Sequence, residues 1–244
     1  MEKEALVRLV TKTRIGKAEL ILLGYRGSRL HGLEDEGSDI DMIGVVVYPP
    51  SHYIGLERLK LTREYTRESQ GRELDIVIYE LQHYVRQLLK GNPNVISTLF
   101  MPDSLIEIST KHWLKIRENR DIFLAKSAYA AYVGYARSHL CKAASKSGRE
   151  DEYNGKALAS ALRVISEGIE LFTKKEIKFP RPDADELRRI RKAEVPWEDV
   201  AGKLEHAALE FEQRAQDSDL PDVPDYNRAD RLVQDILRDF LSCA

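Results

Sequence analysis

Asp39 and Asp41 are the residues whose type and spacing point most directly to chemistry. They alternate within the stretch Gly24–Val47, GYRGSRLHGLEDEGSDIDMIGVVV. Strand side chains point to opposite faces with a period of two, so both carboxylates project from one face, roughly 6.5–7 Å apart along the strand. At an effective dielectric of about 20 they repel each other by roughly 2.5 kcal/mol, before any desolvation. A cation between the oxygens removes that cost, and carboxylate oxygens are hard ligands suited to Mg²⁺ or Mn²⁺. Upstream, Gly27 and Ser28 in a tight turn offer backbone N–H groups and a hydroxyl to an anion, as glycine-rich phosphate loops do. A phosphate cradle followed by a metal-holding pair is the equipment for phosphoryl or nucleotidyl transfer.

The flanking pattern supplies elements to position these groups. Leu22 and Leu23 lead into Gly24, and Ile43–Val47 continue from Asp41 as an apolar strand, with a short helical piece expected around Leu30. The acidic segment Leu33–Gly37 reads as a solvated connection, with a third contribution to a metal site as the competing reading. After Pro49-Pro50, strands are expected at Leu59–Arg67 and Arg72–Tyr79, joined by a polar turn at Ser69-Gln70-Gly71. Asp75 sits in the second of these, where a carboxylate is costly unless paired or metal-bound. Arg72 or Lys60 could pair with it; alternatively it is a third acid of the site. Helices are expected over residues 2–18 and over Gln82–Lys90, the latter closed by Gly91. Asn92 and Pro93 then read as the cap and first residue of a further helix.

Beyond about Leu105 the strand pattern ends. Helices are expected at about 110–119, 127–147, 153–174, 183–193, 197–216 and 226–242, with Asp217–Asp225 as a Pro-broken acidic linker. The switch sets a domain boundary between Pro102 and Ser109, giving domains over 1–105 and 106–244. In the 153–174 helix an apolar stripe runs through Leu158, Leu162, Ile165, Ile169 and Phe172. Lys156 and Arg163, seven apart, fall within about 20° of each other on a different side. They could grip successive phosphates, or form a solvated face with Arg163 paired to Glu167. Arg29 and His31 either touch phosphate or are exposed turn residues. Arg188-Arg189-Ile190-Arg191-Lys192 reads as a basic face, solvated or holding RNA backbone, and Tyr129, Tyr132 and Tyr135 as core rather than base-stacking residues.

The wording G-S-x-x-x-G followed by S-D-I-D-x-x-G-V resembles the signature of the DNA polymerase β superfamily of nucleotidyltransferases, hG[GS]…Dh[DE]h. The phrases SDIDMIGV, GNPN and K-A-L-…-R are similar to its branch linked with RNA repair. The resemblance implies an α+β fold: a polymerase β-like mixed sheet with flanking helices, then an all-helical C-terminal domain contributing to the nucleotide cleft. It implies Mg²⁺ or Mn²⁺ held by Asp39, Asp41 and Asp75, the third acid coming from a neighbouring strand. Gly27 and Ser28 would seat the β,γ-phosphates, Ser38 would cap or orient the aspartates, and Lys156 and Arg163 would face the triphosphate. Where the family has K-x-x-x-H-x-x-R, this chain has Ser160 in place of His, so that His role is absent or reassigned. The implied reaction moves a nucleoside monophosphate from an NTP donor to an acceptor hydroxyl with release of pyrophosphate, an RNA or tRNA end being the first acceptor expected. A DxD glycosyltransferase and a degenerate nucleotide- or RNA-binding module are the alternatives.

The 244 residues suffice for a sizeable core, as one large domain or two small ones. A formal charge of -2 gives no global pull toward nucleic acid, so such a partner must be held by local patches. Cys141 and Cys243 are far apart and lack metal spacing, which fits a reducing cytoplasm. No apolar run approaches the ~20 residues of a membrane span, and the N-terminus does not read as a signal peptide.

Overall fold

The computed structural model describes residues 18–49, 51–56, 60–69, 72–144 and 153–242. The helix expected over 2–18 and the turn residues Gln70 and Gly71 therefore fall almost wholly outside the described residues, as does Cys243. Five strands form one mixed sheet: β1 (Glu19–Tyr25), β2 (Ile40–Val47), β3 (Thr62–Ser69), β4 (Arg72–Glu80) and β5 (Ile106–Ser109). Their order is β3-β4-β2-β1-β5, with β2 and β4 parallel and the other pairs antiparallel. Strand β5 lies past the point where the sequence pattern expects strands to end. Its four residues, IEIS, are too few for alternation to stand out, yet they pair with Leu22–Gly24 of β1. The sheet thus runs to Ser109, four residues beyond Leu105.

Helix α1 (Gly27–His31) links β1 to β2, and α2 (Ser51–Ile54) follows β2. Helix α3 (Leu81–Leu89) starts at Glu80, whose carboxylate accepts from the N–H groups of Gln82 and His83. It stops before Gly91, which adopts φ +68°. The Asn92 side chain accepts from Asn94 N and caps α4 (Pro93–Ile96), as the sequence implies. Six helices follow: α5 (Lys111–Glu118), α6 (Ala128–Ala144), α7 (Gly155–Lys174), α8 (Ala184–Arg191), α9 (Trp197–Asp217) and α10 (Tyr226–Ser242). These match the expected helices to within a few residues. Asn154 caps α7 through Ala157 N, and the stripe of Leu158, Leu162, Ile165 and Phe172 is buried.

One buried apolar cluster joins the sheet to these helices, from Ile21, Val45 and Val47 through Tyr84, Trp113 and Tyr132 to Leu162 and Phe211. Alternation along β2 puts Asp41 on the face of Ile43, Val45 and Val47, and along β4 puts Asp75 on the face of Val77 and Tyr79. Met42, Val46, Leu74, Ile76 and Ile78 pack together on the opposite face. The acids therefore stand on the side of the sheet that carries helices. Tyr132 is fully buried, while Tyr129 packs its ring on Phe172 and Phe211, so these tyrosines serve the core. No helix among the described residues is long and apolar enough to cross a membrane.

Candidate active site

The parallel register of β2 and β4 sets Asp41 directly beside Asp75. Asp39 precedes the first residue of β2, is exposed, and lines the same cleft as Asp41. The Asp75 carboxylate accepts from the Thr66 hydroxyl of β3 at 3.3 Å. Among the described side chains, which do not include that of Arg72, its ionic partner is Arg26 rather than Lys60: Arg26 Nη2 stands 3.8 Å from Asp75 Oδ2 and 4.0 Å from Asp41 Oδ1. Burial pushes the Asp41 carboxyl above its ordinary value; Arg26 and Lys156 oppose that rise, and the charges of Asp75 and Asp39 add to it.

Arg26 ends β1, and its backbone N–H donates to Asp41 O at 2.9 Å, which fixes the start of α1 against β2. Gly27 follows with φ +62°, and a Cβ there would sit 2.1 Å from Asp41 Oδ2. Glycine is required twice over, by conformation and by the carboxylate lying against its backbone. Gly27→Ala is therefore expected to push Asp41 out of line. It should destabilise the fold by about 1–2 kcal/mol, measured by denaturant unfolding, and abolish turnover. Unchanged stability would mean that the carboxylate is not held there.

The opposite wall of the cleft, whose volume is about 260 Å³, comes from α7 and α8: Lys156, Ser160, Arg163 and Arg191. Gly155 lets α8 approach, since a Cβ there would lie 2.3 Å from Ile190 O. Lys156 is exposed, whereas Arg163 is buried and donates to Glu167 Oε1 at 2.9 Å. The i+4 pairing read from sequence holds, but the face is not solvated. Glu167 is fully buried and also faces His31 Nδ1 at 3.1 Å, with the Ser97 hydroxyl donating at 3.4 Å. Burial alone would raise the Glu167 pKa, but Arg163, His31 and Arg181 together hold it at about 2. His31 is a buried residue rather than an exposed turn residue; its burial, and then Arg163, push its pKa down, so it is neutral at neutral pH. Arg29 pairs with Glu34 and lies over the Tyr25 ring.

The Ser38 hydroxyl accepts from Asp35 N at 2.8 Å, closing the Leu33–Gly37 loop; among the described residues no bond from it to Asp39 or Asp41 is seen. The basic face of α8 braces that loop: Arg188 donates to Gly32 O, Arg191 to Leu33 O at 3.4 Å, and Lys192 stands 3.8 Å from Asp35. Among the described residues, no three His, Cys, Asp or Glu side chains are grouped closely enough to hold a metal ion. The donor set of Asp39, Asp41 and Asp75 nevertheless suits a hard divalent ion in type and strand register, and Gly27 leaves the Asp41 carboxylate room beside the backbone.

A model of the RNA repair pathway DNA polymerase beta family matches residues 1–235. The chain belongs to that family. Membership places it among polymerase β-type nucleotidyltransferases linked with RNA repair. Among solved structures it is similar to a nucleotidyltransferase-like protein from Exiguobacterium sibiricum, at 10% identity over 88% of this chain and 74% of that one, with a TM-score of 0.34. That likeness is too remote to bear on the site. No curated protein matches the chain. Two residues near the acids and the basic wall escape a reading of the sequence alone: Arg26, which looks like a turn residue beside Gly27, and Glu167, which looks like a surface partner of Arg163 but is buried.

Proposed function

We propose that this protein is a metal-dependent nucleotidyltransferase that moves a nucleoside monophosphate from an NTP to an acceptor hydroxyl and releases pyrophosphate. The observation that supports it is the in-register pair Asp41 and Asp75, with Asp41 and Asp39 lining a cleft whose other wall carries Lys156 and Arg163. In this reading residues 1–105 supply the acids together with Arg26, and 106–244 supply Lys156, Arg163 and Arg191. Asp39, Asp41 and Asp75 would hold Mg²⁺ or Mn²⁺, which when bound neutralises triphosphate oxygens and lowers the cost of attack by the acceptor oxygen. Gly27 and Ser28 line the cleft where the β,γ-phosphates would be seated. Lys156 meets charge developing on the leaving pyrophosphate, and Arg163, fixed by Glu167, presents a rigid second cation. Ser38 acts at one remove, by shaping the loop that leads to Asp39.

Arg26, Lys156, Arg163 and Arg191 line the cleft with Asp39 and Asp41; Arg163 is paired with Glu167 and Arg26 stands near Asp75, which leaves Lys156 and Arg191 as the cations best able to face a phosphate chain. An RNA or tRNA end is the acceptor favoured by family membership. The guanidinium of Arg26 beside the acids favours, as a second reading, a module that binds nucleotide without turnover.

The test is incubation with Mg²⁺ or Mn²⁺ and each α-labelled NTP in turn, followed by separation of RNA, protein and small-molecule pools. Label in the RNA pool supports the proposal, label elsewhere reassigns the acceptor, and binding without transfer selects the module. Lys156→Met tests the basic wall. Lys156 is exposed, so the melt should stay within about 1 °C, while KM for the NTP rises about tenfold in steady-state kinetics. An unchanged KM would remove Lys156 from the nucleotide site.

A further inference from the structure

We infer that Arg26 is a built-in counter-ion which occupies the space between Asp41 and Asp75 and must yield that space when a divalent ion binds. The inference rests on the nucleotidyl-transfer reading and extends it to a residue whose part in metal binding the motif does not specify. One nitrogen, Nη2, faces one oxygen of each acid, at 4.0 and 3.8 Å. Both distances exceed those of a hydrogen bond, so the guanidinium is held by charge and not by directed bonds. An arginine placed for structure normally donates a bidentate fork at much shorter range. Arg26 Nε, moreover, is buried with no hydrogen-bond partner. A side chain that leaves a donor unpaired and its acids at arm's length is easily exchanged.

The acids need such a partner when no metal is present. Asp41 and Asp75 are like charges set side by side by the register of β2 and β4. Their own surroundings otherwise offer the Thr66 hydroxyl to Asp75 and the more distant charge of Lys156 to Asp41. The backbone bond from Arg26 N to Asp41 O keeps the arginine at the site in either state, so only its side chain need move. Arg26 also lines the cleft, so the displaced guanidinium stays among the groups facing the triphosphate. Were a divalent ion held by Asp41 and Asp75, the Arg26 guanidinium would be left free to face the substrate phosphates. Arg26 is thus a positioning residue for the metal site and a direct competitor of the ion.

The test is a Mn²⁺ titration of the full chain followed by electron paramagnetic resonance, without nucleotide, on wild type, Arg26→Met, Arg26→Gln and Arg26→Lys. Removing the competing cation should tighten Mn²⁺ binding about tenfold in the Met and Gln variants, and Lys should restore affinity close to wild type. Without metal the Met and Gln variants should melt below wild type, and Mn²⁺ should raise their melting temperature more than it raises that of wild type. Equal or weaker Mn²⁺ binding in folded Met and Gln variants would overturn the role of Arg26 and leave the metal-site reading standing. Failure of every variant to bind Mn²⁺ at millimolar concentration would overturn both.

Discussion

Asp41→Ala is expected to abolish label transfer, by on the order of a thousandfold or more, while the metal-free melt stays where it was or rises. The rate loss follows from the position of Asp41: it is the acid shared between its β4 neighbour Asp75 and the cleft that Lys156 faces. Losing the charge stabilisation a bound divalent ion supplies costs several kcal/mol in the transition state, and each ~1.4 kcal/mol is a factor of ten. The stability side has the opposite sign. Asp41 titrates above its ordinary 3.8, mainly through burial, so the folded state favours the protonated acid. Its contribution to stability therefore falls as pH rises from about 3.8 to the raised value, and at neutral pH the ionised form is a cost. Alanine removes that cost together with the weak pairing to Arg26, and the two nearly cancel. Transfer assays beside thermal melts at neutral pH decide the matter. Full activity, or a melt lowered by about 10 °C, would make Asp41 a structural residue.

The largest loss of stability is expected at Glu167. This carboxylate is fully buried, yet it is held ionised by Arg163 at 2.9 Å, with His31 and Arg181 nearby. Glu167→Ala leaves the buried guanidinium of Arg163 without a counter-charge and frees His31. Breaking a buried pair from one side costs about 3–5 kcal/mol, or roughly 10 °C in a chain of this size. Glu167→Gln keeps shape and hydrogen bonding and should lose less. The pH dependence has a defined window. A carboxylate depressed from its ordinary 4.5 to about 2 contributes stability that is complete above 4.5 and is lost as pH falls toward 2. Acid unfolding of wild type should therefore steepen in that interval and be shallower in Glu167→Gln. A melt of Glu167→Ala within about 2 °C of wild type would show that the pair is not the anchor of α7 against α1.

Much of this was legible in the chain itself, for physical reasons. Asp41 was readable because its spacing from Asp39 marks the entry to a strand, although Asp39 itself lies just before β2, and Gly27 because a Gly-Ser turn offers its backbone to an anion. Helices α5 to α10 announced themselves through patterns such as the apolar stripe of α7 and the Pro-broken join before α10. The tertiary pairings were not legible. Lys60 offered itself as a partner for Asp75, but the fold brings it Arg26, which follows β1 two strands away in the sheet. His31 read as either a phosphate contact or an exposed turn residue, because nothing local says that α7 and Phe179 will cover it. Arg188, Arg191 and Lys192 read as a free basic face, whereas packing of α8 commits them to the Gly32–Asp35 loop. Strand β5 was missed because four residues at a sheet edge carry almost no period. In each case the missing knowledge was which elements meet, a property of topology more than of local pattern.

The most direct measurement is a crystal structure of the protein with a non-hydrolysable NTP and Mn²⁺, read by anomalous scattering. The account predicts anomalous density against Asp41 and Asp75, the triphosphate between them and Lys156, and the Arg26 guanidinium moved off the acids. A triphosphate bound elsewhere, with Arg26 still between two metal-free carboxylates, would contradict it.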